Sequence, residues 1–238
     1  MLKIQFIILG WHYNPKSYQE GLLELIKSNP EIDIKVYFVC KKAPPQFIKD
    51  NFDYAEYENV GIEWKGYTDG FFDLDPDDDT ICFFTHDDIE VLDWNFLPIV
   101  IDKLNSGYKL MGNGSNPSFY LDPDAIITPN NTDEPFPFGS KYTWKEVAVN
   151  KEFFTEPGYC KNLRASFMAM KAKTFREMKG FEWLADPYDG ASGNLLWANI
   201  CVNLNGYKQT KLNGAENIGW LADTYAISPY INELERGK

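Results

Sequence analysis

The chain has 238 residues, with 35 acidic against 23 basic side chains and a formal charge of −12. That length suits one large α/β domain with a substantial core and argues against two independent domains. The negative field works against a nucleic-acid acceptor unless a local basic patch offsets it, and an aromatic content of 16% is too high for a disordered segment.

Cys40, Cys82, Cys160 and Cys201 are scattered without a Cys-x-x-Cys pair. They are expected to be free thiols, which points away from zinc and redox motifs and toward a reducing, cytoplasmic setting. No stretch approaches the roughly 18 apolar residues of a membrane span, so no transmembrane segment is expected.

Residues 3–9 predict a first core strand, and 17–27 a helix with Leu22, Leu23 and Ile26 at helical spacing. Asn29-Pro30 stops that helix. Ile32, Ile34, Val36 and Phe38 alternate along a second strand, broken by Lys41-Lys42-Ala43-Pro44-Pro45, and complete a β-α-β opening. Residues 46–58 show a weak helical pattern, 60–67 suggest another strand, and the acidic run 73–79 reads as a solvated loop.

The most informative stretch follows. Ile81-Cys82-Phe83-Phe84 is apolar and too short for a helix, which marks a buried strand of a parallel sheet, and it ends in His86-Asp87-Asp88-Ile89-Glu90. Open α/β sheets place ligands at the carboxyl ends of their strands. Carboxylates gathered there suit a hard divalent cation that also holds a diphosphate, or else form a solvated acidic turn.

Residues 94–104 predict a helix with Leu97, Val100, Ile101 and Leu104 on one face, ended by Asn105-Ser106-Gly107; 108–112 predict the next strand. Residues 113–161 are rich in Pro, Gly, Asn and aromatics, either a functional segment or an excursion packed by its own rings. Regular structure resumes with a strand over 163–170, a short helix opened by a capping box from Thr174 to Glu177 and closed at Gly180, and a last helix over 192–204.

The β-α-β opening, Phe83-Phe84-Thr85-His86-Asp87-Asp88-Ile89-Glu90-Val91 with Trp94, Tyr108-Lys109-Leu110-Met111-Gly112-Asn113-Gly114, Leu163-Arg164-Ala165-Ser166-Phe167-Met168-Ala169-Met170, Phe181-Glu182 and Gly206-Tyr207-Lys208 follow one another in an order that resembles the GT-A glycosyltransferases, particularly the family-2-like group. The resemblance covers roughly residues 1–210. It implies an α/β fold with a mixed, mainly parallel sheet flanked by helices, in a single domain over 1–238. Residues 1–112 would be the nucleotide-sugar and metal-binding half, and 113–238 the loop-rich acceptor side.

The same resemblance assigns Asp87, Asp88 and Glu90 to a Mn2+ or Mg2+ ion bridging the phosphates of a nucleotide-sugar donor. It places Trp11, Tyr13, Lys41 and Asp87 near the nucleotide. Trp11 and Tyr13 are aromatics that suit a base or ordinary packing, Lys41 and Lys42 suit phosphate or solvent, and His86 suits ligation or packing.

The departure lies downstream. Inverting members carry an acidic pair where the last helix starts, whereas residues 191–215 hold no Asp or Glu at all. Asp189 and then Asp186 in Asp186-Pro187-Tyr188-Asp189-Gly190 are the nearest candidates for a general base. Otherwise the enzyme retains configuration, or the site only binds.

The acceptor stays open among glycan, lipid-linked sugar, protein and modified nucleic acid. The alternatives to glycosyl transfer are a nucleotidyltransferase and a non-catalytic carbohydrate- or nucleotide-binding protein. Gly10-Trp11-His12-Tyr13-Asn14-Pro15 is a poor version of the Gly-rich basic loop that the former needs.

Overall fold

The computed structural model describes residues 1–14, 16–59, 62–114, 163–181, 218–221 and 228–229. In chain order the elements are β1 (Leu2–Gly10), α1 (Lys16–Ser28), β2 (Ile32–Cys40), α2 (Gln46–Asn51), β3 (Asp53–Glu56), α3 (Ile62–Leu74), β4 (Ile81–His86), β5 (Ile89–Glu90), α4 (Phe96–Asn105), β6 (Leu110–Gly114), β7 (Leu163–Lys171), α5 (Ala172–Glu177), β8 (Ile218–Leu221) and β9 (Ser228–Pro229). Seven strands form one sheet in the order β3-β2-β1-β4-β7-β6-β8, and β5 pairs separately with β9. Within the described part of that sheet only β7 runs against its neighbours β4 and β6, the other pairings being parallel, and β5 and β9 pair antiparallel. The protein is thus a mixed α/β fold with a mainly parallel sheet flanked by helices.

Two-sided burial explains the continuous apolar runs. Along β1, Ile4, Phe6 and Ile8 join one core with Tyr18, Leu22 and Leu25 of α1 and Phe96, Leu97 and Val100 of α4. Ile7 and Leu9 join the other with Trp64, Tyr67 and Phe71 of α3 and Phe175 of α5. A strand buried on both faces has no polar face to alternate with, so its sequence loses the period of two. Rings dominate both cores: Phe6 stacks on Phe83 with centroids 4.7 Å apart, and Phe84 stacks on Phe175 at 4.5 Å.

Three expectations change. Of the strand expected over 60–67, the described part from Ile62 is instead the start of α3, in which Trp64, Tyr67 and Phe71 recur at helical spacing toward the sheet. Aromatic residues and Gly66 suggest a broken strand locally, but tertiary burial of that stripe decides for helix. The capping box at Thr174 does not form, because α5 begins at Ala172 with Lys171 at its N-cap and no side-chain cap bond. Its first N–H groups donate instead to backbone oxygens of Thr80 and Asp78, at 2.8 and 3.0 Å. Gly180 does close the turn, at φ 82° with its N–H on the Phe175 carbonyl. On α1 the buried face is Tyr18, Gln19, Leu22 and Leu25, so Leu23 and Ile26 sit at its margin.

The acidic run is a loop tied at both sides. Arg176 on α5 donates to Asp75 (2.8 Å) and Asp78, and Lys3 on β1 donates to Asp77. Asp73 closes the last turn of α3, accepting from the Tyr57 hydroxyl at 2.5 Å. The expected last helix over 192–204 and the irregular segment from 115 on lie outside the described residues, as do Cys160 and Cys201. Among the described residues no helix is long and apolar enough to cross a membrane.

Helix α3 lies close to the sheet because Gly66 and Gly70, four residues apart, face it. A Cβ on Gly70 would stand 2.4 Å from Val39 Cγ2 and 3.2 Å from Ile7 Cγ2. Both neighbours are rigid branched side chains in the core. Gly70→Ala is therefore expected to lose about 1–3 kcal/mol of stability by overpacking, although alanine gains about 1 kcal/mol in helix propensity. Urea unfolding measures the balance, and a stabilised variant would refute the close approach.

Candidate functional site

The chain runs outward from β1 to β2 and β3, then returns to place β4 on the other side of β1. The order of strands therefore reverses between β1 and β4. In open α/β sheets the crevice outside the carboxyl ends at such a reversal is where ligands bind. Here it is bordered by Gly10-Trp11-His12-Tyr13, Lys41-Lys42 and the acidic turn after His86.

Strand β4 stops at His86. Asp87 N–H still donates to Leu9 O at 3.2 Å, but its side chain turns back across β1. Carboxylate oxygen Oδ2 accepts the N–H groups of Trp11 (2.8 Å) and Tyr13 (2.5 Å). Asp87 is only 1% exposed. Burial pushes its carboxyl up to about 6, against the lowering effect of those two N–H bonds.

Asp88 behaves in the opposite way. Its side chain is 16% exposed, and His86 Nδ1 lies 3.5 Å from its Oδ1. Burial alone would raise this carboxyl, but the hydrogen bond and charge of His86 outweigh it and hold the group below its ordinary value. His86 in turn stacks against the buried ring of Tyr67, with centroids 6.2 Å apart. The strand does not persist as far as Glu90. After the turn it resumes as β5, with Ile89 buried, Glu90 exposed, and Glu90 opposite Ser228 of β9.

The two aromatics after β1 have separate parts. Trp11 is 39% exposed. Tyr13 is a strut: its hydroxyl donates to Lys42 O at 2.5 Å, and its ring covers Gly10, where a Cβ would lie 2.8 Å from Tyr13 Cε1. Burial and contact with Cys40 hold that hydroxyl far above its ordinary pKa, so it serves as a neutral donor. Tyr13 sits at φ 55°, a left-handed conformation that costs a residue with a Cβ about 1–2 kcal/mol. The three contacts through its N–H, ring and hydroxyl hold it there.

Lys41 points away from this group. Its ammonium donates to Glu58 O at 2.9 Å and lies 5.6 Å over the Tyr57 ring, and burial lowers its pKa. Lys42 is exposed. The structure thus joins Trp11, Tyr13, Lys42 and Asp87 through bonds and sets Asp88 beside them in the chain, while Lys41 is committed to the α3 side. Asp186 and Asp189 lie outside the described residues.

Sequence reasoning did not single out Tyr18 or Gly21. The Tyr18 hydroxyl pairs with Thr85 Oγ1 at 2.7 Å, just before the acidic turn, and its ring stacks on Trp94 just after it. Gly21 makes room for the same indole, since a Cβ there would meet Trp94 Cζ2 at 2.4 Å. Helix α1 therefore braces both ends of the turn. The available signal was the spacing of Tyr18, Leu22 and Leu25.

No protein-family model matches the chain, and no curated protein matches it by sequence. Among solved structures it is similar to residues 1–349 of S. aureus TarS in complex with UDP-GlcNAc, at 11% identity and a TM-score of 0.45. That match covers 85% of this chain but only 54% of the other, so the chain spans about half of it. It is also similar to galactosyltransferase LgtC in complex with donor and acceptor sugar analogues (9% identity, TM-score 0.40, 93% of this chain and 74% of that one). A further similarity is to mannose-6-phosphate isomerase from Helicobacter pylori (18% identity, TM-score 0.40, 75% and 74%). Glycosyltransferases are therefore among its structural neighbours, and at these identities no activity passes from them to this chain.

Burial pushes the Cys40 thiol, at the end of β2, up to about 11 and the Cys82 thiol in β4 up to about 12. The thiolate is the reactive form, so both are expected to resist alkylation at pH 8 in the native protein and to react fully in urea. Peptide mapping after iodoacetamide treatment reads this; native labelling at Cys40 would mean that the end of β2 is open.

Proposed function

We propose that the crevice at the carboxyl ends of β1, β2 and β4 binds a nucleoside-diphosphate sugar, and that the chain transfers the sugar to an acceptor hydroxyl. The observation that carries this reading is Asp88, a largely buried carboxylate at the reversal point of the sheet, with His86 Nδ1 3.5 Å from its Oδ1 and its pKa held below the ordinary value despite burial. Exposed Trp11 suits stacking on a nucleobase, and exposed Lys42 suits phosphate.

Mn2+ or Mg2+ fits this donor set in one particular way. Among the described residues no three His, Cys, Asp or Glu side chains form a cage. Such ions are commonly held by one or two carboxylates together with substrate phosphates and water. Asp88 would supply the protein contact, with Glu90, two residues on in the chain, as a second candidate. When bound, the ion supplies positive charge that offsets the charge gathering on the departing diphosphate. Asp88 would be the residue that holds the ion, and His86, beside it, would orient that carboxylate.

Asp189, with Asp186 as its neighbour, is the proposed base that takes the proton of the acceptor hydroxyl. The acceptor is proposed to be a glycan, a lipid-linked sugar or a protein, since the charge of −12 disfavours nucleic acid.

Calorimetry with UDP, GDP and ADP, with and without Mn2+, tests the donor site. Affinity is expected to fall at least about tenfold in EDTA, because an acidic turn without its cation repels phosphate. Unchanged affinity would remove the ion from the proposal. Tight binding of nucleoside triphosphates alone would favour nucleotidyl transfer, and no nucleotide binding would leave a carbohydrate-binding role. Asp88→Asn is expected to abolish metal-dependent binding with little change in melting temperature.

The base is tested separately. Asp189→Asn is expected to lower transfer by about 10²–10⁴-fold while donor binding survives, with Asp186→Asn milder. If both keep transfer near wild type, the anomeric configuration of the product by NMR decides whether the enzyme retains and needs no such base.

A further inference from the structure

Three loops meet at the carboxyl ends of β1, β2 and β4, and their connections are almost wholly to main-chain groups. One oxygen of Asp87 accepts from Trp11 N–H at 2.8 Å and Tyr13 N–H at 2.5 Å. Asp87 N–H donates to Leu9 O, which ties the acidic turn to the end of β1 a third time. Tyr13 passes the connection on through its hydroxyl to Lys42 O, and Lys41 N–H donates to Gly10 O at 2.9 Å. With Asp87 only 1% exposed, the carboxylate lies inside this knot rather than on its surface.

The chemistry of the contact is informative. Two N–H groups converging on one oxygen ask for an acceptor with two lone pairs, and a side-chain amide carbonyl also offers two, though without the charge assistance of a carboxylate. A cation ligand, by contrast, needs the negative charge. The two adjacent acids are therefore separable by experiment even though they are neighbours in sequence.

We infer that Asp87 is a positioning residue: it shapes the loop that presents Trp11 and locks that loop to the turn carrying Asp88, so that the two move as one unit. The inference rests on the donor-site reading for its functional consequence, and on the hydrogen bonds alone for its structural one. The family resemblance groups Asp87 with the cation ligands. The structure gives Asp87 work that acts through Trp11 and Asp88.

The test uses the full chain carrying Asp87→Ala, Asp87→Asn or Asp88→Asn, and two readouts. One is hydrogen exchange at the Trp11 and Tyr13 amides; the other is Mn2+-dependent calorimetry with whichever of UDP, GDP and ADP binds wild type best. Asp87→Ala is expected to speed exchange at both amides and to weaken nucleotide binding, each by about tenfold or more, as the loss of charge-assisted hydrogen bonds implies. The requirement for Mn2+ should remain. Asp87→Asn is expected to rescue both readouts to within a few-fold of wild type, because the acceptor returns without the charge. Asp88→Asn should do the reverse, losing the Mn2+ dependence while both amides stay protected.

The inference is overturned if Asp87→Asn loses Mn2+-dependent binding as completely as Asp88→Asn with its amides still protected, since Asp87 would then be a ligand. It is also overturned if Asp87→Ala leaves exchange at Trp11 and Tyr13 unchanged. Should the alanine variant fail to fold, the comparison of the two asparagine variants still decides. If wild type binds none of the nucleotides, the donor-site reading falls, and amide exchange alone reports whether Asp87 holds the loop.

Discussion

Strands β1 and β4 are buried on both faces, and this single constraint governs where the protein can do chemistry. Phe6 and Phe83 fill one side of the sheet, Ile7 and Phe84 the other, and none of these four side chains is exposed. A charged group in such strands would lose its hydration without a partner, at a cost far beyond what one hydrogen bond returns. Polar function is therefore displaced to the strand ends. The abrupt change from Phe84 to His86-Asp87-Asp88 is the sequence record of that displacement.

At the strand ends the same burial acts on neighbouring carboxylates in opposite directions. Asp87 goes fully inside and is raised to about 6 by the loss of water. Asp88 keeps some solvent and is lowered because His86, with His12 and its own backbone N–H, outweighs the burial. Two acids with pKa values driven apart are a pattern typical of functional sites, although structural networks produce it too. Here the hydrogen bonds supply the distinction: Asp87 is spent on main-chain N–H groups, and Asp88 is held by a side chain.

How much of this was legible in the sequence follows from the range of the interactions. The β-α-β opening, β4 and α4 were readable because their burial patterns are local and repeat along the chain. The start of helix α3 is hard to read because Trp64 and Tyr67 favour strands in isolation and become part of a helical stripe, with Phe71, only against Ile7 and Val39 of the sheet. The acidic turn could be found, but not its division of labour. Asp87 and Trp11 are 76 positions apart, and nothing in either segment encodes that one carboxylate answers two N–H groups across β1. Lys41 shows the same limit, since its neighbour Lys42 stays exposed while it turns under Tyr57.

The bracing of the turn points the same way. A turn of polar residues at a strand end has little burial of its own to fix it, and loops of that kind sample several shapes. This one is clamped before and after by α1, through Tyr18 on Thr85 and on Trp94, and across its middle by Asp87 on the loop after β1. Gly21 is required for the closeness of that packing, because any side chain there would displace the Trp94 indole. The left-handed Tyr13 is tolerable for a related reason: its N–H, ring and hydroxyl are each held by a different loop or strand end. Rigidity at the crevice thus comes from core aromatics reaching outward to the turn, which leaves the side chains of Asp88, Trp11 and Lys42 among the described groups there not used up in holding the loops together.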